Sequence, residues 1–243
     1  MTRRFSFVFA LVLAAFNMSH AETNDLFSSG LAAAQIGNFT AAQAAFSSES
    51  KRAPSAGALL NLGLAEWQRG HASAAILAWE RLAWLKPDDK RAAQNLKFAR
   101  AILQIEAPTL VWYEKLSSYL SPTGWWWLTV SSLWLLAGSL VLPRVLRWKK
   151  TDSQHFFTAL ALAICIFSLV ANFGVISRLN GGVVLKKNAP LQLTPTHQGE
   201  VTSFLTTGES ARKLKERGDF YFITTATATG WIARENFELI VPQ

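Results

Sequence analysis

At 243 residues the chain is long enough for one or two ordinary domains, and half of its residues are hydrophobic. Part of the net charge of +8 sits in an N-terminal leader and a short basic segment, and no basic stripe alternates with aromatics elsewhere, which argues against a nucleic-acid partner. The single cysteine, Cys165, excludes an intramolecular disulfide, so each folded part must be stable through its core.

Residues 1–21 carry Arg3 and Arg4, an apolar run over 5–16, and then Ser19-His20-Ala21. That run is too short to cross a bilayer comfortably, and the small residues at 19 and 21 suit signal peptidase. The segment reads as a secretory signal peptide, which places the residues after Ala21 outside the cytoplasm.

From 22 to 106 the pattern is helical and repeats itself. Gly30, Gly37, Ala42, Phe46 and Pro54 return 33 residues later as Gly63, Gly70, Ala75, Trp79 and Pro87. Each unit reads as helix, glycine turn, helix, proline stop. The first glycine admits a close helix approach, the alanine leaves room, and the aromatic fills the gap. The unit resembles the tetratricopeptide (TPR) repeat, with Leu62-Gly63 and Gly37-Asn38-Phe39 matching its pattern, while Ser29 and Ala33 depart from it. Residues 90–105, where Asn95-Leu96 echoes Asn61-Leu62, read as a capping helix. The resemblance implies an all-α TPR helical repeat whose inner groove binds a partner segment. Carried over to this chain, the groove positions are Phe27, Leu31, Leu60, Leu64, Trp67, Gln68, Gln94, Phe98 and Ile102. Trp67 is the natural anchor. The competing reading is that Trp67 and Phe98 simply pack on each other.

Residues 107–124 form a linker in which Trp112, Tyr113, Leu116, Tyr119 and Leu120 fall near helical spacing. They predict a short helix lying on the outer leaflet, the alternative being that these aromatics dock on the capping helix. Two charge-free apolar runs come next, 125–142 and 156–177, each long enough for a transmembrane helix. The Trp125-Trp126-Trp127 cluster suits the membrane interface. The loop between the runs, 143–155, holds Arg144, Arg147, Lys149 and Lys150 against the one acid Asp152. A short loop rich in Lys and Arg stays cytoplasmic, so these four residues set the topology of a two-helix transmembrane hairpin with both flanks outside. No ionisable residue lies within either run, so the hairpin reads as an anchor rather than a transport path.

After 178 the composition changes to short strands, expected at 183–185, 191–193, 201–205, 211–215, 220–225 and 230–233, with Gly181-Gly182 as a hinge beside the membrane. Regular short runs between turn signals predict a small all-β barrel. Gly218-Asp219-Phe220 and Gly230-Trp231-Ile232 resemble recurring features of bacterial SH3-like domains, with Ala226–Thr229 departing from the usual glycine turn.

Signal, TPR repeats, two spans around a basic loop, and an SH3-like barrel over 178–243 together resemble the BatE-type family of the Bacteroides-aerotolerance (Bat) operon. The resemblance implies a multidomain protein of the bacterial inner membrane, with both folded parts periplasmic. It would be a non-catalytic subunit of an envelope stress or chaperone-like system that works beside a MoxR-type ATPase. The partners it implies are membrane proteins with von Willebrand factor A domains or related Bat proteins. A cell-wall-binding protein, with the SH3-like barrel reading peptidoglycan, is the alternative. No nucleic-acid partner and no cofactor are expected. The four histidines, His20, His71, His155 and His197, have no ligand neighbour at metal-binding spacing, and no phosphate loop or nucleophile elbow occurs, so no enzyme is expected.

Overall fold

The computed structural model describes residues 25–145 and 152–242. The expected signal peptide over 1–21 and three of the four topology-setting cations, Arg147, Lys149 and Lys150, lie outside these described residues. Arg144 lies within them and is exposed.

Five helices come first: α1 over 25–35, α2 Phe39–Arg52, α3 Ala56–Gln68, α4 Ala72–Leu85 and α5 Lys90–Leu103. The 33-residue spacing reappears in the backbone. Gly37 and Gly70 both adopt positive φ, +75° and +81°. Behind each, the next residue closes the preceding helix: Asn38 N–H donates to Ala33 O and His71 N–H to Glu66 O, both at 2.9 Å. This is the left-handed stop that glycine makes without steric cost. Asn38 and Ser55 then cap the next helices, accepting from Ala41 and Ala58 N–H. α2 and α4 end two residues before Pro54 and Pro87, as proline's steric demand on its neighbour requires.

The packing repeats as well. A Cβ on Gly30 would stand 2.7 Å from the Phe46 ring, and one on Gly63 would overlap the Trp79 indole. Phe46 and Trp79 are buried, as are Ala42 and Ala75. Each aromatic of a second helix therefore occupies the space that a glycine of the first leaves free. Trp79 also donates its indole N–H to Leu60 O at 3.3 Å, which satisfies the polar end of a buried ring.

Two long helices follow the short α6 Trp112–Ser117: α7 Pro122–Val145 and α8 Asp152–Arg178. Both are long and apolar enough to cross a membrane. They extend beyond the expected 125–142 and 156–177. Pro143 was expected to open the loop, yet it stands inside the last turn of α7. Proline has no N–H for the carbonyl four residues back, which is Ser139 O. That carbonyl instead accepts from the Gln154 side-chain amide of α8 at 3.1 Å, so the helix continues to Val145. The two helices are also pinned by Asn172, whose amide donates to Thr129 Oγ1 at 2.8 Å. Ser132, Thr158 and Ser168 bond carbonyls of their own helices.

Seven strands complete the chain: β1 Gly181–Val184, β2 Ala189–Gln192, β3 Val201–Leu205, β4 Ser210–Arg217, β5 Phe220–Thr224, β6 Thr229–Ala233 and β7 Phe237–Leu239. They form one antiparallel sheet in the order β3-β2-β6-β5-β4-β1-β7. Every strand sends residues into one cluster that includes Val184, Leu191, Leu205, Ala211, Ile223, Ile232 and Phe237. Among the described residues no helix contributes to that cluster, so the sheet covers it by curling on itself. β7 was not expected. It is three residues long, has exposed Glu238 at its centre, and is recruited by β1 after a 3₁₀ turn. The turn over 225–228 needs no glycine because Thr225 Oγ1 accepts from Thr227 and Ala228 N–H. Gly181-Gly182 is not a hinge. Both residues are ladder partners of β4, and a Cβ on Gly182 would overlap the Phe237 ring.

The sheet is docked on the helices rather than hung beside them. Val183, on the opposite face of β1 from Val184, is buried in the helical core with Ile76 and Trp79. Arg81 of α4 reaches across to Ile240 O at 3.0 Å, Leu239 O at 3.1 Å and the Glu238 carboxylate at 2.6 Å. Ser73 donates to Leu185 O at 2.8 Å.

Candidate binding surface

The first helix of each unit and the cap, α1, α3 and α5, carry the nine expected groove residues. The structure divides them. Leu60 is buried in the helical core, only 9% exposed. Phe27 packs edge-on against Phe46 at 5.7 Å and abuts Gly57 of α3, so it joins two units. These two are packing residues, a role that the groove reading did not assign them. The period that places a side chain on the inner side of helix A does not say how close the neighbouring helix comes.

The others stay open. Leu64 is 42% exposed, Phe98 54% and Ile102 55%, and Leu31, Gln68 and Gln94 are exposed too. Trp67 is half-buried, with its ring centroid 5.6 Å from Phe98 and 6.0 Å from Trp79. Both readings of this indole therefore hold in part: it packs on Phe98 and keeps a face in solvent. The result is an apolar strip across α3 and α5 with amides at Gln68 and Gln94. α5 has no acidic residue and presents exposed Lys90 and Lys97 beside it. Asp89 caps that helix, and the Arg91 side chain on it brings its carboxyl down to about 2.

A junction elsewhere in the chain was not revealed by the pattern. α6 was expected as a short helix on the outer leaflet. It packs on the C-terminal part of α8, where Gly174 admits the Tyr113 carbonyl. Its acid, Glu114, is the most buried residue of the helix, 0% exposed. One carboxylate oxygen accepts from Ser177 of α8 at 2.6 Å and pairs with Arg212 of β4 at 2.7 Å; the other accepts from Val111 N–H at 3.1 Å. Burial pushes this carboxyl up, but the Ser177 hydroxyl and the Arg212 guanidinium outweigh it and hold it below the ordinary glutamate range. Arg178 lies over the Trp84 ring at 5.1 Å and donates to Ser117 Oγ at 3.3 Å. Nearby Glu80 and Arg100 form a further pair between α4 and α5. Trp125, expected at a lipid interface, is buried here and donates its indole N–H to Ser117 O at 3.0 Å, while Trp126 and Trp127 are exposed. Charge burial of this kind leaves no signal in a linear pattern, because its partners are 63 and 98 residues away.

A cleft of about 430 Å³ opens where α4 begins, lined by His71, Ser73, Leu185, Lys187 and Thr207 among others. Among the described residues no group of three or more His, Cys, Asp or Glu side chains is placed to hold a metal ion.

No family model, curated protein or solved structure matches this chain. The architecture by itself defines a mixed helix-and-sheet protein with two helices long and apolar enough to cross a membrane.

Proposed function

We propose that the chain is a non-catalytic scaffold of the bacterial inner membrane that presents a TPR-like module and an SH3-like module outside the cytoplasm. The single observation that carries this reading is the open apolar strip of Leu64, Trp67, Phe98 and Ile102 in a chain that also carries two span-length helices. A partner segment laid on that strip would be kept at the membrane, where a second weak contact becomes intramolecular. By resemblance, the system is the Bat/MoxR type, and the partners are membrane proteins with von Willebrand factor A domains. Co-purification of such a protein with the full chain, lost on deleting residues 22–105, is the expected result. Unchanged co-purification would refute the groove as the capture site.

One feature favours the alternative of cell-wall binding. Phe222 and Trp231 meet as tilted rings 5.1 Å apart on the outer face of the sheet, both half-buried, and Phe204 is exposed on the same face. Aromatic faces of this kind suit stacking against sugars. Sedimentation of the full chain with purified peptidoglycan, abolished by Trp231→Ala, would make this the primary function.

A further inference from the structure

Among the described residues, α7 touches the rest of the chain on one side, where Trp125, Leu128, Thr129 and Ser132 meet α8 and α6. The opposite side, at 100° per residue, carries Trp127, Ser131, Trp134, Gly138, Val141 and Val145. Their spacing alternates four and three, which is a heptad seam, and large and small residues alternate along it through Val141. Trp134 is 75% exposed. It stands near the middle of a 24-residue helix, about 16–18 Å from either end. In a bilayer that is the hydrocarbon midplane, whereas indoles ordinarily sit at the interface, where the N–H finds a partner. Thr129, Ser132 and Ser139 donate to carbonyls of α7, but neither Ser131 nor Trp134 has a hydrogen-bond partner among the described residues.

We propose that this seam is the contact between two copies of the chain, paired α7 to α7 in the membrane. The proposal rests on the membrane reading of α7. Two copies inserted the same way meet in parallel and at equal depth. The seam holds a donor and an acceptor three residues apart, so a two-fold axis lets each Trp134 N–H reach the Ser131 hydroxyl of the other copy. The indoles of one copy fill the hollows over Ser131 and Gly138 of the other, and the period of 3.5 suits a left-handed crossing. An unrelated helix would have to supply a matching pattern, which a second copy already possesses.

The test uses the full chain in native membranes with Cys165→Ala, which removes the lone thiol. Val141→Cys lies on the seam, and Leu140→Cys lies at the same depth about 100° round the helix. Mild oxidation is expected to yield a disulfide-linked dimer of the chain from Val141→Cys and not from Leu140→Cys. Trp134→Ala added to Val141→Cys is expected to lower the dimer about fivefold. Equal cross-linking at both positions, a product with a different protein, or no effect of Trp134→Ala would overturn the pairing. Cysteines protected from an impermeant maleimide yet not cross-linked overturn the pairing alone. Rapid labelling of both by that reagent removes the membrane reading, and the pairing with it.

Discussion

Gly63 and Trp79 show what a single hydrogen atom decides in this fold. The indole lies where a methyl group would be, so Gly63→Ala must push a buried ring off its seat. Overpacking of that kind costs about 1–3 kcal/mol. The expected result is a lower unfolding midpoint for Gly63→Ala than for wild type in detergent, and a smaller drop for an exposed control such as Ala93→Gly. Trp67 and Leu60 separate in the same assay. Leu60→Ala empties core volume and should cost about 2–5 kcal/mol. Trp67→Ala removes a half-exposed ring, so it should weaken partner capture while the circular dichroism stays near wild type. Unchanged capture with an intact fold would show that Trp67 is a packing residue alone.

At the scale of elements, the decisive one is α6, six residues tied through Glu114 to α8 and to the sheet. Glu114→Gln keeps the shape but leaves the partly exposed Arg212 guanidinium facing a neutral amide, a destabilising change. Faster amide exchange over 107–121, with the core of α3 and α4 unchanged, is the expected readout. Acid should do the same reversibly. The folded carboxyl lies below its ordinary value, so its contribution is complete above the ordinary glutamate range and disappears as pH falls through the lowered value. Asp89 behaves alike. Its carboxyl drops from 3.8 to about 2, so the cap's contribution to α5 is full above about pH 4 and is lost on acidification towards 2. The loss of unfolding free energy due to these two groups should therefore begin at the ordinary carboxylate range and not above it. A fall that begins near neutrality would contradict both assignments.

At the scale of the whole molecule, the proposed topology puts the helical repeats and the sheet in one compartment. The docking contacts agree with it: Arg81 meets Ile240 O and Val183 lies in the helical core. A reporter fused after residue 243 should read as extracytoplasmic, and one inserted at Thr151 as cytoplasmic. A cytoplasmic C-terminus would refute the orientation. The sequence by itself determined the 33-residue repeat, the glycine stops, the aromatic-on-glycine packing, six of the strands and the two span-length helices, because each is a local signal: a period, a φ that only glycine takes easily, a run of apolar side chains. It did not disclose that Pro143 stays helical, that Trp125 and Glu114 are buried, that Leu60 and Phe27 are packing residues, or that the sheet rests on α4. Those outcomes depend on partners many residues distant, on Gln154 offering an amide to an orphaned carbonyl and Arg212 a charge to a buried acid. Only the folded chain brings such groups within reach of each other.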